Sequence, residues 1–239
     1  NIKSLLYKLA PAYPNLKYMV IVGDDRMVPA RRIVDEALFA NERLYADVPR
    51  DNAIGIAEQQ RYFLSDDYYA GFLPLPFKGR ELYLPQLGVG RLVESPAEIA
   101  TAIDTFRGLA DRTVTPRTAL VTGYDFLTKQ ATDIAGKLKK FGIGAADQPT
   151  TKLDTLISNT WGAADFRTSF FTTPVAHGLN SLNSHFTHQR LLPPQATNGD
   201  VFVNEVDTSA TNFNNTVVFS VGCHSGLNVP YAGVSDWPQ

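Results

Sequence analysis

The chain has 239 residues, with 22 Lys+Arg against 24 Asp+Glu, a formal net charge of -2, 44% hydrophobic and 19% charged residues. This composition supplies a sizeable core, which excludes disorder as the main state. The near balance of charge argues against a nucleic-acid or polybasic membrane role, and no apolar run approaches the roughly 20 residues of a bilayer span. Cys223 is the single cysteine, so no internal disulfide forms and compartment cannot be read from disulfides. Residues 1–20 lack the charged start and long apolar stretch of a signal peptide, and the chain is expected to be a mature fragment or cleavage product.

In chain order, Tyr18-Met19-Val20-Ile21-Val22-Gly23 reads as a fully buried strand with a loop at its carboxyl end. Residues 24–80 show no strong helix. A short strand falls within Leu84–Leu92, where Gly88 and Gly90 mark a close approach or bend. Ser95-Pro96-Ala97-Glu98 carries the signature of a helix start, with Ser as cap and Glu98 at capping-box spacing. That helix is expected to run to about Ala110, burying Ile99, Ile103, Phe106 and Leu109. Thr113–Arg117 reads as a linker.

Thr118–Gly123 is the next buried strand, followed by a helix from about Leu127 to Phe141 with Ile134 and Leu138 inward. Thr151–Ile157 reads as another short helix and Gly178–Ser184 as a weak strand. Thr216–Gly222 is the clearest strand of the chain, a buried one that leads directly into Cys223. Strands alternating with helices indicate an α/β layered fold with a mainly parallel sheet.

All four histidines, His177, His185, His188 and His224, fall with Cys223 between positions 177 and 224. Sites in parallel α/β sheets form at the carboxyl ends of strands. His185 follows one strand and Cys223 another, and an imidazole that takes the thiol proton makes Cys a strong nucleophile. A lone cysteine after a strand is ordinarily a packed core residue. The small residues of Gly222-Cys223-His224-Ser225-Gly226 do not suit a core position and expose backbone N–H groups able to hold an oxyanion, those of Cys223 and Gly222 foremost. Adjacent Cys223-His224 with scattered histidines matches no common zinc spacing. The pattern points to a Cys-His dyad for acyl transfer, most simply peptide hydrolysis.

Val217–Gly226 resembles the nucleophile strand of gingipain-type cysteine peptidases, a family of the caspase-like clan, and Leu179–Phe186 resembles their His strand. That strand usually ends His-Gly. Phe186 departs from the pattern, so His185 or His188 is the base, with His185 preferred for its place directly after the strand. His177-Gly178 precedes the strand and reads as a loop. The resemblance extends to Ala119–Asp125, whose Asp125 stands where the family carries an acid that orients the His; a helix cap or turn is the competing use of Asp125. Val20–Asp25, Ser65–Ala70 and Gly88–Arg91 resemble the family's first subdomain.

The resemblance implies a caspase-like layered fold over residues 117–239 and a smaller N-terminal α/β subdomain over residues 1–116. It implies a secreted or surface-attached cysteine endopeptidase acting on protein or peptide substrates, and a specificity for one residue type before the scissile bond. Asp133 lies near the place where Arg-selective relatives carry an acid, although a solvated helix face suits it better. The family continues beyond its Cys strand, so residues after Asp236-Trp237-Pro238-Gln239, or a second chain, are expected to complete the sheet. The chemistry requires no cofactor. Structural calcium is a secondary implication, with Asp24, Asp25, Asp66 and Asp67 as oxygen donors. A catalytically inactive scaffold of the same fold is the rival reading, and a Cys-dependent hydrolase acting on other amides is a further one.

Overall fold

The computed structural model describes residues 2–39, 41, 43, 53–93, 95–223 and 225. His224, Gly226 and Asp236-Trp237-Pro238-Gln239, singled out in the sequence, lie outside the described residues. Internal packing divides the chain into two units, one ending at Ala102 and the other beginning at Ile103. The sequence places its subdomain boundary at residue 116, within the Thr113–Arg117 linker.

In the first unit the elements are α1 (Ile2–Leu9), β1 (Tyr18–Val22), β2 (Arg31–Val34), α2 (Ala53–Gln59), β3 (Tyr62–Ser65), α3 (Asp67–Ala70), β4 (Pro74–Phe77), β5 (Arg80–Tyr83) and β6 (Gly88–Leu92), and α4 (Pro96–Gly108) carries the boundary. β1 pairs in parallel with β6, β2 with β3 and β4 with β5 antiparallel, each as a two-stranded sheet. β1 is therefore not fully buried: only Ile21 is buried, because β6 is its one described neighbour. A helix, α2, stands inside the stretch read as non-helical, burying Ile54 and Ala57. The expected capping box of α4 forms, with Ser95 N–H and Oγ–H both donating to Glu98 Oε2 and Glu98 N–H returning to Ser95 Oγ. No residue of α4 is buried, and Ile103 and Phe106 are exposed, against the expected inward face.

Lys3 anchors α1. Its buried ammonium donates to the carbonyls of Tyr68 and Gly71, and the rings of Tyr7, Tyr68, Phe72 and Tyr83 surround it at 5.0–5.5 Å. Burial lowers its pKa, and the carbonyls and ring faces supply the compensating negative potential.

The second unit holds β7 (Thr118–Gly123), α5 (Thr128–Lys140), β8 (Lys152–Ile157), α6 (Ala163–Phe170), β9 (Leu179–Asn183), β10 (His185–Phe186), β11 (Arg190–Leu192), β12 (Val201–Phe202), α7 (Glu205–Thr208) and β13 (Val217–Val221). Four strands form an all-parallel sheet in the order β13-β9-β7-β8. The fold is mixed α/β, as expected. Side-chain alternation sends Val121 and Leu153 toward Ala131 and Ala135 of α5, and sends Leu120 and Leu182 toward Trp161, Phe166 and Phe170 on the α6 side. Gly123 lets α5 approach: a Cβ there would lie 2.3 Å from that of Ala131.

Residues 152–157 are a strand, not the expected short helix. Leu153, Leu156 and Ile157 satisfy either periodicity, and pairing with β7 along its whole length decides the outcome. β13 is not a buried strand. It pairs only with β9 among the described residues, and Val217, Val218 and Phe219 are 41–56% exposed. The central strand β9 is mostly polar, yet Asn180, Ser181 and Asn183 are buried. Asn180 Nδ2 donates to the His177 carbonyl, and Asn183 Nδ2 to the Thr122 carbonyl, both at 2.9 Å. Such pairing offsets the penalty of burying the amide N–H groups, while Asn180 Oδ1 and Asn183 Oδ1 are buried with no hydrogen-bond partner among the described residues. No helix of the described residues is long and apolar enough to cross a membrane.

Candidate active site

Strand order places the site. In chain order the four parallel strands lie 2-1-3-4, so the connection leaving β7 runs to β8 on one side and the connection leaving β9 runs to β13 on the other. The crevice at the carboxyl ends of β7 and β9 is the topological switch point, where open α/β sheets form their sites. Register then aligns the ends: Val221, Asn183, Gly123 and Ile157 form one row across the sheet. Two positions beyond that row stand Cys223, His185, Asp125 and Asn159, in the segments that follow the four strands. Thiol, imidazole, carboxylate and amide thus follow one another along one edge.

His185 Nε2 lies 3.6 Å from Asp125 Oδ2, with the imidazole 39% and the carboxylate 64% exposed. That separation is too long for a hydrogen bond and within the reach of an ion pair when the imidazole carries a proton on both nitrogens. Rings fix the imidazole plane. Tyr124 and Phe126 meet it edge-on, with centroids at 5.3 and 5.5 Å. Tyr124 is itself pinned, its hydroxyl donating to the Leu192 carbonyl at 2.5 Å and accepting from His185 N–H at 3.4 Å. Burial is the main cause of its raised pKa, which keeps the phenol protonated.

Asp125 has φ +53°, in the left-handed region that Asp adopts more readily than most residues. Its N–H donates to Asn159 Oδ1 at 2.8 Å. The cap position of α5 belongs to Leu127, so Asp125 is not the helix cap. Asn159 carries no signal while residues 151–157 read as a helix; read as a strand, they place Asn159 at a carboxyl end. Tyr124 and Phe126 had no periodic signal of their own.

Cys223 is exposed and free. Ser225 Oγ–H donates to the Gly222 carbonyl at 3.0 Å and closes the turn around the thiol. Ser184 N–H donates to the Val221 carbonyl at 3.3 Å, tying the start of that turn to the His turn. Phe186, the departure from the His-Gly pattern, lies against Gly222.

The other histidines take different places. His188 is buried, on the turn between β10 and β11. His177 is buried before the start of β9, at the opposite end of that strand from His185, with Nε2 2.8 Å from Asp154 Oδ2. For Asp154, burial raises the pKa, but hydrogen bonds from Lys152 and His177 outweigh it and hold the carboxyl below the ordinary range. Asp133 sits on the outer face of α5, paired with Lys129 at 2.6 Å.

In the first unit, arginines engage three of the four carboxylates considered for calcium: Arg26 pairs with Asp24 at 2.9 Å, Arg32 with Asp25 at 2.5 Å and Arg91 with Asp66 at 2.6 Å. Among the described residues no group of three or more His, Cys, Asp or Glu could hold a metal ion. Comparison with protein-family models, curated proteins and solved structures finds no match.

Proposed function

We propose that this chain is the catalytic unit of a cysteine endopeptidase of gingipain type, with a caspase-like layering in its second unit. The observation that carries the reading is that Cys223, His185 and Asp125 follow the ends of three adjacent parallel strands, each two positions past a common register line. An exposed thiol, a half-exposed imidazole and a carboxylate at 3.6 Å supply the groups of a nucleophile, base and orienter.

In this reading His185 takes the Sγ proton of Cys223 as sulfur bonds to the scissile carbonyl carbon. The N–H groups of Cys223 and Gly222 hold the oxyanion. The imidazolium, steadied by Asp125, gives its proton to the amine nitrogen as the C–N bond breaks. Water then adds to the thioester, losing its proton to His185, and the C–S bond breaks to return the thiol. His185 is favoured over His188 because the Asp125 contact and the aromatic flanks belong to it.

The substrate is a protein or peptide, met in a secreted or cell-surface setting. The exposed outer edge of β13 suits a further strand, from a second chain or a C-terminal continuation. Hydrolysis of a peptide library by the wild type and by Cys223→Ala, under reducing conditions with and without calcium, tests the reading. Turnover by the wild type alone supports it. If both proteins are inert and a thiol-directed peptide probe leaves Cys223 unlabelled, catalysis is excluded and the scaffold reading takes its place.

A further inference from the structure

A cavity of about 170 Å³ lies in the second unit, between α6, the end of β9 and the β10–β12 sheet. Phe166, Phe170, Phe171 and Phe186 line it, with Leu182 on its floor side and Val206 of α7 completing the apolar wall. Two lining residues connect it to the candidate site. Phe186 directly follows His185 and lies against Gly222, and Ser225, two residues after Cys223, bonds the Gly222 carbonyl. The cavity therefore shares walls with the turns that carry both reacting groups.

Its chemistry is selective. None of its described lining residues is an Asp or Glu, so a Lys or Arg side chain would enter without a counter-charge. The one arginine in the wall, Arg190, donates from Nη1 to Asp200 at 2.9 Å, so its charge is already matched and offers little to an acidic side chain. An apolar protein cavity of about 150 Å³ is known to hold a benzene molecule. The volume here accepts one bulky side chain of that size.

We propose that this cavity is the specificity pocket, receiving one bulky apolar side chain (leucine, methionine or phenylalanine) that flanks the scissile bond of a peptide substrate. The proposal rests on the peptidase reading and narrows it. It departs from selection of a basic residue: Asp133, considered for that role, is on the outer face of α5 and is not among the lining residues.

The test pairs a cleavage profile with covalent labelling. Wild type, Cys223→Ala and Val206→Glu are given a peptide library and a set of thiol-reactive peptidyl probes bearing Leu, Phe, Ala, Lys or Asp. Mass spectrometry reads the adduct on Cys223 and thermal unfolding reads the fold. Val206 is 37% exposed on a surface helix, so the new carboxylate alters the pocket wall without entering the core.

The expected result is labelling and cleavage with Leu, Met or Phe favoured over Ala, Lys and Asp by about tenfold or more, the scale one apolar pocket achieves. Val206→Glu should erase most of that preference and raise the relative use of Lys. If Cys223 is labelled and peptides are cut, but a charged residue or no residue is preferred, the pocket proposal falls and the peptidase reading stands. If neither cleavage nor labelling occurs with any probe, both fall. Should Val206→Glu unfold, Val203→Glu, at a more exposed position in the same wall, replaces it.

Discussion

Gly222 and Phe186 occupy one another's space: a Cβ built on Gly222 would lie 2.2 Å from Phe186 Cδ2 and 2.5 Å from the Ser184 carbonyl oxygen. The residue before the thiol and the residue after His185 are thus locked together, and the lock sets how the Cys turn meets the His turn. Gly222→Ala forces one of them to move. Overpacking of this kind costs about 1–3 kcal/mol. Denaturant unfolding should show that loss, and the rate of Cys223 alkylation should change because the thiol turn shifts. Phe186→Gly removes the ring from that space but not the Ser184 carbonyl, so Gly222→Ala/Phe186→Gly should lose less stability than the two single losses added, a coupling that independent sites would not show.

Asp125 combines a left-handed backbone with a carboxylate 3.6 Å from His185. Asparagine tolerates the same backbone and keeps the size of the side chain. Asp125→Asn should leave unfolding within about 0.5 kcal/mol of wild type. In a working peptidase it should lower kcat/KM by roughly tenfold to a hundredfold, because the imidazolium loses its partner during proton transfer. An unchanged kcat/KM would show that the carboxylate does not act on the imidazole.

His185 and His188 are separated by one turn and differ in environment. His185 is 39% exposed between two rings, whereas His188 is 8% exposed and lines the apolar cavity. His185→Ala should abolish peptide turnover. His188→Asn should keep turnover while altering which peptides are cut. The reverse pattern would make His188 the base.

The strands that carry the site were legible for a physical reason. β7 and β13 are short, continuous apolar runs closed by glycine, and β9 stands directly before a histidine, so the ends bearing Asp125, His185 and Cys223 could be marked by position. What failed needed the partner strand. Lys152–Ile157 satisfies helix and strand spacing alike, and only pairing with β7 removes the ambiguity. With that strand lost, Asn159 and its bond to Asp125 N–H were lost too. The exposure of β13 and α4 was equally hidden, because apolar composition shows what a residue favours and not what is packed against it. The aromatic cavity escaped for the same reason: its phenylalanines come from α6, the turn after α6, β10 and β12, which no local pattern joins.

Arg167 and Glu205 fasten α7, one wall of the cavity, to α6. Arg167 Nε and Nη2 donate to Glu205 Oε2 and Oε1, both at 2.7 Å, and Phe202 N–H donates to Oε1 at 3.0 Å. The hydrogen bond from Arg167 is the main reason that the Glu205 carboxyl lies below its ordinary range, with partial burial opposing it. A carboxyl whose folded pKa is lowered stabilises the fold above its unfolded value, and that contribution disappears as pH falls through the folded value. Wild type should therefore lose stability as pH drops below the ordinary glutamate range, whereas Glu205→Gln, less stable near neutral pH by about 1 kcal/mol, should lose less on acidification. Urea unfolding of both proteins, at neutral and at acid pH, reads the difference between them. Parallel acid losses would show that the pair does not couple to the fold, and α7 would then be held by its apolar contacts alone.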